Sequence, residues 1–377
     1  MSNKIKLALT GGHMSPALSI IEKLPEDYEV VYIGRKYALE GDRAESLEYR
    51  KITDLGLKFI DLKTGRLQRR LSRHTLSSLI KTVSGLRQAK NILTTERPDC
   101  VLGFGGYLSL PVCIAAYMLK IPIVIHEQTL GAGLANKIIG KYFATKICIS
   151  FESTRKYFPD NKVVLTGNPI RTDVLHPIVN SSLFVNLPGK KPLIFITGGS
   201  LGSHIINETV ARSIEKILDN FEVIHQTGDA KEFNDYERLE ELRRNLPKDK
   251  IQSYVLFRFI DPKDFGAILK KADLVIGRSG INTVTELLYL RKKAVLIPLS
   301  IGQKNEQKTN AIFAREQLGV EIIDQKDLSA DTLLRSIDRQ IKKETQEESQ
   351  KKTSLGENAA DKIIQQVSLY AKKATNQ

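Results

Sequence analysis

Short apolar runs alternate with helix-like segments along this chain, and near residue 192 the same alternation begins again. The runs are KIKLALT, EVVYIG, DCVLGF, IPIVIH and TKICIS in the first half, and PLIFITGG, FEVIHQTG, IQSYVLF, ADLVIGRSG and KAVLIPLS in the second. Short runs that are mostly apolar indicate strands of parallel sheets that are covered by helices on both faces. The sequence therefore predicts an α/β chain with two doubly wound, Rossmann-like domains.

The stretch at residues 167–192 carries the Pro and Gly residues that are typical of a connection between domains. A chain of 377 residues is also longer than one hydrophobic core usually organises. We expect a first domain over residues 1–168 and a second over 169–355. The last segment, 356–377, is expected to form a helix that packs back on the body.

The uncharged run from Val101 to Leu119 is long enough to be weighed as a membrane-spanning helix, but glycines and Pro111 interrupt it. We interpret this run as a strand, a loop and a helix. Lys4 and Lys6 are followed by too few apolar residues for a secretion signal, which favours a cytoplasmic location. The three cysteines lie in apolar segments and are predicted to be reduced.

The formal net charge of +14 lies mostly in the first half, where residues 1–165 hold 25 Lys and Arg against 15 Asp and Glu. This excess indicates an anionic partner, which is a nucleic acid, a membrane surface or a phosphorylated substrate. Leu62 to Thr95 contains eight basic residues and no acidic one, beside apolar residues at helical spacing. The segment is either a helix that docks on anionic lipid or a core-facing helix with a solvated basic face. Its apolar residues are Leu76, Leu79, Ile80, Val83 and Leu86.

Two glycine-rich loops follow strands of the first domain, where doubly wound folds bind ligands. The loop TGGHMSP allows its backbone to approach a diphosphate at Thr10, Gly11 and Gly12, and His13 is either a general base or a helix cap. The loop GFGGYLSLP either binds the same anion or packs closely against neighbouring backbone.

The segment HEQTLGAGLANK places four polar side chains around a third glycine-rich connection, directly after an apolar run. Clustered polar groups in a loop favour a ligand site over a purely structural turn. These side chains are His126, Glu127, Gln128 and Asn136.

In the second domain, GRSGINTVTE ends a buried strand and opens a helix whose first amides suit a nucleotide diphosphate. Glu286 either accepts hydrogen bonds from ribose hydroxyls or acts as a capping-box partner. Gln307 and Asn310 either contact sugar hydroxyls or lie on the solvated surface. The chain has no D-x-D motif and no plausible cluster of metal ligands, so we expect helix dipoles and Arg171 to neutralise the diphosphate without a metal.

Six motifs, TGGHMSPAL, GFGGYLSLP, HEQTLGAGLANK, GNPIR, GGSLGS and GRSGINTVTE, occur in the order found in MurG-type transferases, and the chain resembles this family over about residues 5–320. The resemblance implies a GT-B fold with an acceptor-binding first domain and a donor-binding second domain around an interdomain cleft. The implied reaction is inverting transfer of N-acetylglucosamine from UDP-N-acetylglucosamine to the 4-hydroxyl of undecaprenyl-pyrophosphoryl-MurNAc-pentapeptide in peptidoglycan synthesis. No cofactor is implied.

The resemblance also implies residue roles. Ile260 would meet uracil through its backbone, Glu286 the ribose, Ser200 the diphosphate, and His13 would be the base with Glu127 as second choice. The implied donor set is Thr10, Gly11, Gly12, Thr129, Arg171, Ser200, Ile260, Ile281, Asn282, Thr283, Val284, Thr285, Glu286 and Gln307. The implied acceptor set is Gly105, Gly106, Tyr107, His126 and Asn136.

The sequence differs from the family pattern at Ala8 and Leu9, where two further glycines are common, and at Thr129, which replaces a frequent Asn. The loop near Gln307 also carries one extra residue. These differences affect the implied contacts to the acceptor more than the implied identity of the donor.

Three other interpretations are open. Two are enzymes that use the same sugar-nucleotide donor, and the third is a protein that uses the positive charge of the first half. A UDP-N-acetylglucosamine 2-epimerase needs no acceptor, and another glycolipid synthase would use a different lipid. A nucleic-acid-binding protein would use the basic first half, but the sequence contains no recognisable base-stacking module. We therefore expect an enzyme on the cytoplasmic face of the membrane that binds anionic lipid peripherally, does not bind nucleic acid, and has cell-wall synthesis or division proteins as candidate partners.

Overall fold

The computed structural model describes residues 4–37, 45–64, 75–178, 184, 187–228, 230, 232–299, 305–343 and 356–375. The chain divides into two compact units. The first unit combines Met1–Arg171 with Ser354–Gln377, and the second is Thr172–Thr353.

The first unit is built on a parallel sheet whose described strands follow the order β3-β2-β1-β4-β5-β6-β7. The strands are β1 (Ile5–Thr10), β2 (Tyr28–Gly34), β3 (Lys58–Asp61), β4 (Cys100–Gly103), β5 (Ile123–Glu127), β6 (Lys146–Ile149) and β7 (Val163–Leu165). Every residue of β4 and β5 is buried, which fits strands that are covered on both faces. The strand order reverses between β1 and β4, so the loops after these two strands diverge at the sheet's switch point.

Helices flank this sheet and bury their apolar faces on it. They are α1 (Met14–Ile21), α2 (Leu47–Asp54), α3 (Thr75–Glu96), α4 (Gly106–Met118) and α5 (Leu134–Tyr142). The run from Val101 to Leu119 is therefore a strand, a loop and a helix, as predicted. Among the described residues, no helix is both long and apolar enough to cross a bilayer.

The second unit repeats this architecture with the described strand order β10-β9-β8-β11-β12-β13. Its strands are β8 (Leu193–Thr197), β9 (Glu222–Gln226), β10 (Tyr254–Phe257), β11 (Leu274–Gly277), β12 (Ala294–Leu296) and β13 (Glu321–Ile322). Its helices are α6 (Thr172–Leu175), α7 (His204–Asn220), α8 (Asp235–Arg244), α9 (Lys248–Ile251), α10 (Pro262–Lys271), α11 (Ile281–Leu290), α12 (Glu306–Leu318) and α13 (Ala330–Lys342). The switch point lies between β8 and β11.

The last helix, α14 (Ala359–Thr375), belongs to the first unit. Its side chains Ile363 and Val367 are fully buried in the core that contains Leu7 of β1 and Ile20 of α1. Lys23 and Asp361 form an ion pair beside this contact, with 3.0 Å between Nζ and Oδ2. The segment that begins and the segment that ends the described fold therefore share one core.

Candidate active site

The first two glycine loops of the first unit interlock through their backbones. The N–H of Phe104 donates to the carbonyl of Thr10 at 2.8 Å, and the N–H of Gly12 donates to the carbonyl of Gly105 at 3.3 Å. A Cβ on Gly11 would lie 2.9 Å from the carbonyl oxygen of Gly105, so the close approach requires glycine there. The two loops therefore form one rigid edge at the carboxyl ends of β1 and β4.

His13 occupies the N-cap position of α1 and is held by the second loop. Its backbone is extended, and its Nδ1 lies 2.7 Å from the carbonyl oxygen of Phe104. Because a carbonyl oxygen only accepts, this contact assigns the proton to Nδ1 and leaves the lone pair on Nε2. A half-buried imidazole in this tautomer can accept a proton at Nε2.

Glu127 ends β5 and lies at the centre of a network of hydrogen bonds. Oε1 accepts from the N–H of Thr129 at 3.0 Å and from its hydroxyl at 2.7 Å. Oε2 accepts from the N–H of Gly133 at 2.9 Å and from Nδ2 of Asn136 at 3.0 Å. Three N–H donors bond the carboxylate, and the Thr129 hydroxyl is shared between it and the Gly131 carbonyl at 2.6 Å. With 2% of the residue exposed, the geometry supports Glu127 as an anchor of this loop rather than as the base.

Asn136 connects this network to the second glycine loop. It donates to Glu127, and a Cβ on Gly105 would lie 2.9 Å from its Nδ2. Gly105 also has a φ of +72°, which glycine adopts without strain. Glu127 therefore fixes Asn136, and Asn136 supports the loop whose Phe104 carbonyl holds His13.

His126 is a buried residue of β5 whose side chain contacts residues that follow β6 and β7. Its Nε2 is 3.2 Å from the carbonyl oxygen of Gly167 and 3.0 Å from the hydroxyl of Ser150. Burial lowers the pKa of His126 to about 4, so the ring is neutral at neutral pH.

The structure brings the predicted acceptor residues together at one edge but at different depths. Gly106 is exposed, and Tyr107 is half-buried with its hydroxyl 3.3 Å from Nη1 of Arg35. His126 and Asn136 are buried, so we propose that they support this edge and do not touch a substrate. Thr129 is buried and bonds Glu127, and we propose the same supporting role for it. Arg171 is half-buried as the last residue of the first unit's first segment.

In the second unit, the glycine loop after β8 exposes Ser200 just before α7. Gly199 has a φ of +88°, and the backbones of Gly198 and Ser203 approach so closely that a Cβ on Gly198 has no room. The loop thus presents Ser200 to solvent from a tight turn.

The helix α11 begins at the carboxyl end of β11, directly after Gly280. Gly280 has no side chain to cap the helix, and the amides of a helix's first turn are suited to an anion. Asn282 and Thr283 are half-buried at this end. The other predicted residues of this helix are buried, namely Ile281, Val284, Thr285 and Glu286.

The N-terminus of α12 is fastened to the loop that precedes α11. The hydroxyl of Ser279 donates to the carbonyl of Gln307 at 2.7 Å, and Nδ2 of Asn310 donates to the carbonyl of Ser279 at 3.1 Å. The side chain of Gln307 accepts from the N–H of Leu299 at 3.0 Å through Oε1. Gln307 is therefore placed beside the start of α11, whereas Asn310 is a buried structural residue.

Arg278 is a half-buried cation that the sequence analysis did not single out. It donates to the hydroxyl of Ser203 at 2.7 Å, the carbonyl of Ile297 at 3.0 Å and Oε1 of Gln325 at 2.9 Å. All three partners are neutral, and burial lowers the pKa of the guanidinium. A half-buried positive charge held by neutral oxygens between two glycine loops favours an anionic ligand there.

Ile260 follows β10 and is buried, with its N–H donating to Oε1 of Gln226 at 3.1 Å. No cluster of three or more His, Cys, Asp or Glu side chains suited to a metal ion occurs among the residues that the structure describes.

Two family models match the chain. Residues 10–149 match the glycosyltransferase family 28 N-terminal domain, and residues 193–367 match the glycosyltransferase family 28 C-terminal domain.

Curated relatives carry one name, UDP-N-acetylglucosamine--N-acetylmuramyl-(pentapeptide) pyrophosphoryl-undecaprenol N-acetylglucosamine transferase. The protein from Clostridium perfringens (strain SM101 / Type A) is 36% identical over 369 residues, which cover 96% of this chain and 97% of the relative. The protein from Clostridium botulinum (strain Alaska E43 / Type E3) is 34% identical over 89% of each chain.

Solved structures share the fold over nearly the whole length. Acinetobacter baumannii MurG aligns with a TM-score of 0.69 at 24% identity, covering 97% of this chain and 99% of that one. A UDP-GlcNAc 2-epimerase from Neisseria meningitidis, bound to UDP-GlcNAc, aligns with a TM-score of 0.61 at 14% identity, covering 97% and 100%.

Proposed function

We infer the activity of this chain from its family, because the chain belongs to the UDP-N-acetylglucosamine–N-acetylmuramyl-(pentapeptide) pyrophosphoryl-undecaprenol N-acetylglucosamine transferases of glycosyltransferase family 28. It is a hexosyltransferase of the GT-B fold that uses UDP-N-acetylglucosamine as the donor and the muramyl lipid as the acceptor. The observation that carries this conclusion is that identity to these transferases extends over both units. The shared fold alone would not separate a transferase from an epimerase, which has the same architecture.

The second unit supplies the groups suited to the sugar nucleotide. The amides at the start of α11, beside Asn282 and Thr283, would receive the diphosphate, and Ser200 lies on the neighbouring exposed loop. The half-buried cation Arg278 would add positive charge to the same edge. This arrangement supports diphosphate binding through helix amides and arginine.

The first unit supplies the proposed base, His13. The bond from Nδ1 to the Phe104 carbonyl leaves Nε2 as the acceptor. The adjacent Gly12 is exposed, and a Cβ built on it would meet no atom within 4 Å, which leaves space for a substrate. The muramyl 4-hydroxyl would give its proton to Nε2 while its oxygen attacks the anomeric carbon. The bond from that carbon to the UDP oxygen breaks in the same displacement, so the anomeric configuration inverts.

We also propose that the first unit docks peripherally on anionic lipid at the cytoplasmic face of the membrane. The residues Arg66, Arg69, Arg70 and Arg73 of the basic segment lie outside the described residues. At its described end Val83 is 67% exposed, while Leu86 packs on the core.

Helix α4 packs between α3 and α5, and α4 and α5 expose an aromatic patch that we define as Tyr117 and Tyr142. The ring centroids of these tyrosines lie 5.3 and 6.1 Å from that of Phe143. Nζ of Lys141 lies 5.1 Å from the ring centroid of Tyr142. Aromatic and basic side chains side by side suit the lipid interface.

Transfer can be tested directly with labelled UDP-N-acetylglucosamine and a short-chain muramyl-pentapeptide lipid, with and without EDTA. We expect a disaccharide lipid whose yield does not change with the chelator. Three controls separate the rivals: omission of acceptor, replacement by diacylglycerol, and addition of DNA. Formation of a 2-epimer without acceptor, or transfer to diacylglycerol alone, would contradict the proposal.

A further inference from the structure

Gln226 is the last residue of β9, which lies between β8 and β10 in the second sheet. In the strand register Gln226 is paired with Thr197 on one side and Phe257 on the other. The loops that follow those two neighbours contain Ser200 and Ile260. The side chain of Gln226 therefore starts midway between the two loops that the proposed function gives to the nucleotide.

The carboxamide of Gln226 bonds both loops at once. Its Nε2 donates to the carbonyl of Gly199 at 2.9 Å and lies 3.3 Å from the hydroxyl of Thr197. Its Oε1 accepts from the N–H of Ile260 at 3.1 Å. The residue is 3% exposed, so these bonds are shielded from water and from competition by it.

The bridge requires a side chain that donates at one end and accepts at the other. Glutamate would still accept from Ile260, but its second oxygen would face the carbonyl of Gly199 without a proton between them. Asparagine is one methylene shorter and cannot span the same two partners without moving the backbone. An amide of the length of glutamine therefore matches both contacts.

The backbone that follows Gln226 is itself wedged between the two loops. The N–H groups of Thr227 and Gly228 donate to the carbonyls of Phe257 at 2.9 Å and Arg258 at 3.0 Å. On the other side, Gly202 lies so close to the carbonyl of Thr227 that a Cβ there would overlap with it. The origin of the Gln226 side chain is thus fixed, and its amide can hold the loops at a set separation.

We propose that Gln226 is a positioning residue for the sugar nucleotide. By bridging Gly199 and Ile260 it holds Ser200 and the Ile260 backbone at the spacing that a uridine diphosphate needs before the ligand arrives. This inference rests on the proposed function for the assignment of the two loops to the donor. It assigns to Gln226 a contribution to donor affinity and none to the chemical step, because the side chain is enclosed by protein atoms.

The test measures UDP binding by calorimetry and steady-state kinetics for wild type, Gln226→Ala, Gln226→Glu and Gln340→Ala. Gln340 is the matched control, because it is 1% exposed in the same unit and donates one bond, to the carbonyl of Gly319 at 3.0 Å. We expect both Gln226 variants to bind UDP about tenfold more weakly, which corresponds to about 1.4 kcal/mol. The KM for UDP-N-acetylglucosamine should rise by the same factor, while kcat and the KM for the acceptor stay within about twofold.

Gln226→Glu keeps the volume of the side chain, so it tests the bridge even where Gln226→Ala does not fold. Hydrogen exchange of the Ile260 amide should be faster in both variants than in Gln340→Ala. UDP affinity equal to that of Gln340→Ala, or a loss that falls on kcat instead of the donor KM, would overturn the inference. Because UDP binding needs no acceptor, a wild-type protein that binds UDP but transfers nothing would contradict the proposed function alone.

Discussion

The Nδ1 atom of His13 lies 2.7 Å from the carbonyl oxygen of Phe104, in the neighbouring glycine loop. The carbonyl fixes the tautomer as well as the orientation of the ring, because it can only accept the proton of Nδ1. The reactivity proposed for His13 therefore depends on the position of a second loop that is distant in sequence.

Replacement of His13 by Ala should lower kcat by about 10²- to 10⁴-fold, the usual contribution of a general base. UDP affinity should stay within about twofold, since the proposed nucleotide groups lie in the second unit. The exposed His176 provides the control, and His176→Ala should behave as wild type. A folded His13→Ala enzyme with near-normal turnover would remove His13 from this role.

Replacement of Glu127 by Gln should destabilise the first unit, because one carboxylate oxygen would become an NH2 group. That group donates, yet it would face groups that also donate, either those of Thr129 or those of Gly133 and Asn136. We expect the free energy of unfolding in urea to fall by about 2 kcal/mol or more, as for a lost bond to a charged acceptor. Glu215→Gln is the control, because that side chain is 64% exposed. Wild-type stability combined with a hundredfold loss of kcat would instead identify Glu127 as the base.

Replacement of Gly105 by Ala tests the support that Asn136 gives to the second glycine loop. The new Cβ would lie 2.9 Å from Nδ2 of Asn136, at a φ of +72°. Gly56→Ala is matched in φ, at +69°, but meets no atom within 4 Å. Backbone strain should cost both variants about 1 kcal/mol, and overlap should cost Gly105→Ala about 1–3 kcal/mol more.

Comparison of kcat for Gly105→Ala and Gly56→Ala tests whether the second glycine loop also affects catalysis. Only Gly105→Ala should also lose kcat, because the Phe104 carbonyl that orients His13 belongs to the same loop. Equal unfolding free energies and equal kcat in the two variants would show that Asn136 does not constrain the loop.

Stability should fall as the pH is lowered from about 6.5, because two buried histidines stay neutral in the folded chain. Burial lowers the pKa of His126 to about 4 and that of His225 to about 3, against about 6.5 in the unfolded chain. Below pH 6.5 the unfolded chain binds more protons than the folded one, so this stabilisation is complete above pH 6.5 and is lost toward pH 4. Each histidine should contribute a slope of about 1.4 kcal/mol per pH unit in that window.

Urea unfolding at pH 7.5, 6 and 5 would measure this slope, in a range where most carboxylates stay ionised. His225→Asn should flatten it for the second unit, and His176→Ala should leave it unchanged. A stability that does not vary between pH 7 and 5 would contradict the prediction.

Membrane docking should depend on the aromatic patch as well as on charge. Tyr117 and Tyr142 are 56% and 57% exposed, and changing both to Ser should weaken binding to anionic vesicles roughly tenfold. Ile178 of the second unit is 78% exposed, so Ile178→Ser controls for the loss of any surface apolar group. Unchanged vesicle binding after replacement of Arg66, Arg69, Arg70 and Arg73 by Gln would contradict the electrostatic part of the proposal.

The fold followed from the sequence because its elements carry local signals. Buried parallel strands are apolar throughout, and glycines mark where each strand turns into a helix, so the strand and helix within Val101 to Leu119 could be separated. The helices that follow the loops TGGHMSP and TGGSLGS begin at Met14 and His204.

The sequence predicts that His126, Thr129 and Asn136 contact substrate, and this stays a prediction. The structure shows that the chain after β5 returns so that Gly133 and Asn136 bond Glu127, which is why we propose supporting roles instead. No sequence motif near Glu127 indicates that the chain folds back onto its carboxylate.

Two residues that the sequence analysis did not select depend on neighbours distant in the chain. Arg278 gains its environment from Ser203 and Gln325, and Gln226 from Gly199 and Ile260. Their positions in the sequence could have indicated them, because polar residues at the carboxyl ends of buried strands lie where such folds bind ligands. Arg278 directly follows a buried strand, and Gln226 is the last residue of one.

The return of α14 to the first unit has a consequence for synthesis on the ribosome. Ile363 and Val367 cover the side of the first core that contains Leu7 and Ile20. A nascent chain that has already made every strand of that sheet still exposes this apolar surface while the whole second unit is being translated. The amino-terminal fold is completed only when this helix emerges, and until then the growing polypeptide exposes apolar surface that favours aggregation.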